Sequence, residues 1–143
     1  MIHQKYLLDT DVLVTAARSY YSFHICPGFW RSLIYFHERG SLFSIDLVQQ
    51  EIKSDDIVQW IKDKVPNGFF IDISKHLNII HLGKRIMDDV QNTTQYHSSA
   101  IDKFFNGADV WLIAAAKTLN YKLITNEVSA PNSKKRYKNF RYL

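Results

Sequence analysis

Four short apolar runs, at residues 6–8, 41–45, 69–73 and 122–125, are separated by longer stretches whose apolar side chains recur at helical spacing. Parallel neighbours in a sheet need crossovers of about a dozen residues or more, and every gap here is long enough to hold one. That alternation predicts an α/β fold, a three-layer α/β/α sandwich around a mostly parallel central sheet. A helix is expected over 27–40, with Pro27 in its first turn, an apolar stripe of Phe29, Trp30, Leu33, Ile34 and Phe36, and Gly40 closing its end. Residues 47–53 read as a short helix. Residues 55–64 read as another, capped by Ser54 or Asp55, with Ile57, Val58, Trp60 and Ile61 inward. Leu77, Ile79, Ile80, Leu82, Ile86 and Met87 mark a buried helix over 76–90. After a turn at Asn106-Gly107, residues 108–119 form the clearest helix, whose alanines Ala114 to Ala116 allow close backbone packing.

With 143 residues, 46% of them hydrophobic, the chain has material for one core. It is expected to divide into a domain over 1–133 and a basic, aromatic tail over 134–143. The formal charge of +4 permits a polyanionic partner without demanding one. Its distribution is more specific: Lys134, Lys135, Arg136, Lys138 and Arg141 interleave with Tyr137, Phe140 and Tyr142. That mixture suits a phosphate backbone with unstacked bases, and it equally suits a solvated chain end. Cys26 is the lone cysteine, so no intramolecular disulfide forms. The first residues lack a signal peptide's long apolar core, and no stretch reaches the length of a membrane span. A cytoplasmic protein without membrane contact is expected.

The chemistry is concentrated in acids. Asp9 ends the first strand, Glu51 lies on the short helix after the second, Asp109 begins the alanine-rich helix and Glu127 follows the last strand. Parallel strands bring their carboxyl ends to one edge, where ligands of open α/β sheets bind. Two unit charges 4 Å apart repel by about 4 kcal/mol at an effective dielectric of about 20, and a divalent cation reverses that sign. Mg²⁺ or Mn²⁺ would use such oxygen donors and leave room for water and a phosphate oxygen, which points to metal-assisted phosphodiester hydrolysis. Each acid also has an ordinary explanation. Asp9 can cap a turn, Asp109 can cap or open its helix, and Glu51 can be a solvated helix residue. Asp11 can add a ligand, accept a hydrogen bond behind the ligands or, as the preferred reading, cap a helix.

Four segments together resemble a PIN domain, as in the VapC-type ribonuclease toxins: Tyr6-Leu7-Leu8-Asp9-Thr10-Asp11-Val12, Val48-Gln49-Gln50-Glu51-Ile52, Ala108-Asp109-Val110-Trp111-Leu112-Ile113-Ala114 and Leu123-Ile124-Thr125-Asn126-Glu127. Arg18-Ser19-Tyr20-Tyr21 with Pro27-Gly28-Phe29-Trp30 further resembles a PIN-like branch catalogued only as a domain of unknown function. The resemblance implies a Rossmann-like sandwich, Mg²⁺- or Mn²⁺-dependent endonuclease activity, usually on RNA, and a toxin role beside a neutralising antitoxin; a homodimer is also consistent with it. Asp9, Glu51 and Asp109 match the three core acids, and Glu127 matches a fourth position where Asp is commoner. Thr10 and Thr125 match hydroxyl residues that support the site, and Asn126 is their polar neighbour. Arg18, Lys134, Lys135 and Arg136 are the candidate nucleic-acid contacts.

Two rivals remain open. A catalytically silent PIN-like interaction module would keep the acids and act through its partner contacts. Asp9-x-Asp11 also resembles the start of a haloacid-dehalogenase-like phosphatase, where the first Asp attacks phosphorus and the second serves as acid and base. Leu13 stands where that pattern wants Thr or Val, and the last strand lacks the paired acids it expects. The six histidines contain no i, i+4 pair for a helical zinc site, and neither a phosphate-cradling glycine loop nor a nucleophile elbow is present. Trp30, Trp60 and Trp111 sit on apolar stripes and are expected in the core.

Overall fold

Leu7 and Leu8 are both buried, which for successive residues of a strand means that both faces of the sheet are covered. In the computed structural model, which describes residues 4–92 and 106–126, they belong to β1 (Tyr6–Leu8). The chain continues through α1 (Thr10–Arg18), α2 (Pro27–Glu38), β2 (Leu42–Ile45), α3 (Asp46–Glu51), α4 (Asp55–Lys64) and β3 (Phe70–Ile71). A 3-10 turn (Ile73–Lys75), α5 (Leu77–Gln91), α6 (Asp109–Leu119) and β4 (Lys122–Ile124) are the remaining described elements. The expected α/β architecture is what forms: one parallel sheet in the order β3-β2-β1-β4, flanked by helices. Tyr6 is in register with Leu42 on one side and Lys122 on the other, and Ser44 pairs with Phe70.

The strand order decides where a site can lie. From β1 the chain steps outward to β2 and β3, then returns across the sheet to place β4 on the far side of β1. Right-handed crossovers put α1 to α4 on one face and α5 with α6 on the other. Packing follows that division, with α1 against α3 and α4, and α5 against α6. The direction of winding reverses between β1 and β4, and the crevice beyond their carboxyl ends is the topological switch point.

Close helix packing comes from small residues. Ala114 and Ala115 are fully buried in α6, and a Cβ built on Gly83 of α5 would stand 2.7 Å from Trp111 Cε3 and overlap Cζ3. Gly40 ends α2 at φ +80°, where its amide donates to the His37 carbonyl at 2.8 Å, as its position in the sequence suggests. An aromatic cluster fills the space under α2 and α4. Phe23 stacks on Trp30 at 4.0 Å, and Trp30 meets Trp60 edge-on at 5.0 Å.

Several local expectations shift. Phe36 is half exposed because it lies about 120° round the helix from Trp30, and His37 takes the inward place, its Nδ1 2.8 Å from the Leu42 carbonyl. Val58 and Leu77, expected inside, are exposed, since Ile57 with Trp60 and Ile79 with Ile86 define the buried faces of their helices. Ser54 holds the N-cap position of α4 without a capping bond from its side chain. Asp11 is not a cap: Asp9 takes that position in α1, and Asp11 is an exposed acid of the first turn. β2, β3 and β4 are shorter than their apolar runs, and β3 has only two residues. Glu127, Lys134, Lys135 and Arg136 lie outside the described residues.

Candidate functional site

Asp9 follows β1 directly, and its amide donates to the Ile124 carbonyl at 3.1 Å, carrying the β1–β4 pairing to the switch point. Asp9 as a whole is 3% exposed, an expensive place for a charge unless polar groups meet it. Thr125, just past β4, donates its hydroxyl to Asp9 Oδ2 at 3.0 Å. Next to Thr125, Asn126 donates its amide to the Asp11 carbonyl at 3.1 Å and so fastens the end of β4 to the first turn of α1. From the other side, the fully buried Ser44 of β2 donates to the Leu8 carbonyl at 2.8 Å.

Glu51 joins two helix starts to this centre. At the end of α3 its Oε2 accepts the Thr10 hydroxyl and its Oε1 accepts the Ala108 N–H, each at 2.6 Å. Thr10 is the first residue of α1, and Ala108 is the N-cap of α6, immediately before Asp109. The two helices thus present their positive dipole ends to one carboxylate. Asp109 is the half-buried first residue of α6. Three of the four expected acids therefore belong to segments stitched together at one edge of the sheet, with Thr10, Thr125 and Asn126 as the stitches. Among the described residues, no three His, Cys, Asp or Glu side chains gather closely enough to enclose a metal ion.

Other carboxylates at this edge are held locally. Asp46 accepts from the Leu47 amide at 2.9 Å. The Ser74 hydroxyl and amide both donate to Asp72, and the hydroxyl's bond is the main cause holding its carboxyl below the ordinary value. Arg18 closes α1, about 12 Å of helix away from Thr10. Beside Glu51 opens a hollow of about 300 Å³ walled by Leu47, Gln50, Asn106 and Trp111. Trp30 and Trp60 are buried as expected, whereas Trp111 is half-buried and lines this hollow.

The profile of a family described as a domain of unknown function, DUF4411, matches residues 6–139. The chain belongs to the DUF4411 family. No curated protein and no solved structure matches this DUF4411 chain.

The donor set of this DUF4411 chain is all oxygen: the carboxylates of Asp9, Glu51 and Asp109 with the hydroxyls of Thr10 and Thr125. Such donors suit hard cations such as Mg²⁺ or Mn²⁺ over zinc. Mg²⁺ needs only one or two carboxylates beside water and substrate phosphate, so a complete protein cage is not required for the residues to fit it. Sequence reasoning passed over two members of the network. Ser44 carried a signal, a hydroxyl inside Leu42-Phe43-Ser44-Ile45. The Ala108 N–H carried none, because a backbone donor is not written in its side chain.

Proposed function

We propose that this DUF4411 chain is a Mg²⁺- or Mn²⁺-dependent endoribonuclease. The observation that carries the reading is the buried Asp9 carboxylate at the β1/β4 switch point, held by Thr125 and flanked by a Glu51 carboxylate that ties together the starts of α1 and α6. Asp9 and Asp109 would hold the cation. When bound, a cation of this class lowers the pKa of water and neutralises charge on a phosphate. Thr125 orients Asp9 by its hydrogen bond, and Glu51 keeps α1 and α6 in register with each other. The resemblance to PIN domains supports RNA as substrate and a toxin whose neutralising partner is a protein antitoxin.

A second reading has one observation in its favour. Both oxygens of Glu51 are taken up by protein donors, and no three acids of the described residues converge, as suits a silent module that acts through a partner. One experiment separates the two. The purified chain is incubated with a mixed RNA pool in Mg²⁺, in Mn²⁺ and in EDTA, beside Asp9→Asn and Asp109→Asn. The nuclease reading expects metal-dependent cleavage that falls by about 100-fold or more in either variant. Intact RNA under every condition sinks it, and turnover of a small phosphomonoester instead points to phosphatase chemistry.

A further inference from the structure

A larger hollow borders the end of α3. It measures about 800 Å³ and runs between the end of α3, one face of α4 and the edge strand β3. Val58, Ile61 and Lys62 of α4 and Val65 just past its end line it, so the flank of α4 beside the stripe that packs on the core gives it an aliphatic floor. Lys53 and Lys62 border it, the Gln49, Gln50 and Asn67 amides add hydrogen-bonding groups, and among the described residues no acid lines it. Gln50 also walls the smaller hollow beside Glu51, so the two spaces share a side chain.

We infer that this groove is the track along which a single-stranded RNA leaves the candidate active site, and that the preferred substrate is an extended strand rather than a short fragment. The inference rests on the nuclease reading. A polyanion with flat apolar faces matches each part of the lining. Phosphates pair with Lys53 and Lys62, bases lie on Phe70 and the aliphatic floor from α4, and the amides meet base edges. Continuity through Gln50 favours RNA over an acidic, apolar peptide, which would fit the same charge but has no reason to reach Glu51. Bases splayed across such a floor exclude a duplex, whose bases face inward.

The test compares labelled oligouridines of about 4 and about 16 nucleotides. Cleavage is followed in Mn²⁺, and binding by anisotropy in EDTA, for wild type, Lys53→Glu/Lys62→Glu and Lys53→Ala/Lys62→Ala, with circular dichroism to check folding. The wild type is expected to prefer the long strand, and the charge-reversed pair to lose about tenfold on it while handling the short one normally. With about 0.7 counterions released per single-strand phosphate, losing two contacts shrinks the affinity change between about 50 and 200 mM salt by about sevenfold. Metal-dependent cleavage with equal treatment of both lengths by all three proteins overturns the track and leaves the nuclease standing. No cleavage, with long-strand binding still lost in the variants, overturns the nuclease and supports the track as a binding groove. Absence of both, or an amphipathic acidic peptide bound through Lys53 and Lys62 in place of RNA, overturns the track.

Discussion

At the scale of single residues, Glu51 allows the sharpest discrimination. Its two oxygens accept one hydroxyl and one backbone N–H, and a glutamine can keep both bonds by accepting from Ala108 and donating to the Thr10 oxygen. If its part is to hold α1 and α6 in register, Glu51→Gln retains activity within about tenfold and folds normally. Glu51→Ala leaves the buried Ala108 amide without its acceptor and lowers stability by about 1–3 kcal/mol in urea unfolding. Equal loss of activity in both, with unchanged stability, assigns the carboxylate to the metal instead. Glu51 was legible as a candidate from its place after the second strand. Thr10 was legible as a supporting hydroxyl, but its pairing with Glu51 and that of the Ala108 amide were not, because Thr10 and Ala108 are 41 and 57 residues away and no local pattern joins them.

At the scale of elements, the α5–α6 contact and the aromatic cluster are the places where packing outweighs propensity. Gly83→Ala gains about 1 kcal/mol of helix propensity but drives a methyl into the Trp111 ring. Overpacking of that kind costs about 1–3 kcal/mol, so a net loss of stability is expected, and Gly83→Ala with Trp111→Leu should recover it. A Gly83→Ala variant as stable as wild type would show that the two helices separate freely. The tryptophans under α2 and α4 differ in a testable way. Trp30 donates its Nε1 to the Tyr21 carbonyl at 2.7 Å, whereas the buried Trp60 Nε1 has no hydrogen-bond partner among the described residues. Trp60→Phe removes an unsatisfied donor and Trp30→Phe removes a made bond, so Trp30→Phe should be the more destabilising by about 1 kcal/mol in thermal or denaturant unfolding. Helix boundaries were readable here because capping and stop residues are local: α4 and the start of α2 fall where Asp55 and Pro27 place them. Which flank of each helix is buried was less readable, since Phe36 and Val58 sit beside the true stripes and only the neighbouring elements decide which flank is covered.

At the scale of the whole molecule, a cation held between β1 and α6, as proposed, would bind the folded chain and not the unfolded one. It should therefore raise stability by about 2.7 kcal/mol at 100 times its dissociation constant. Thermal unfolding in increasing Mn²⁺ is expected to shift upward for wild type and to stay flat for Asp9→Asn. An equal shift in both would move the cation away from Asp9. No helix among the described residues is long and apolar enough to cross a membrane, which agrees with the absence of a span-length apolar run in the sequence.

The amino-acid order alone determined the α/β class, the parallel crossovers and the arrival of Asp9 at a strand's carboxyl end, because strand and helix periodicities are properties of neighbouring residues. Only the tertiary structure decided that β4 lies beside β1, that Thr125 meets Asp9, and that Glu51 reaches the Thr10 hydroxyl and the Ala108 amide. Those pairings depend on which strand the chain chooses on its return across the sheet, and that choice follows from how the whole core closes.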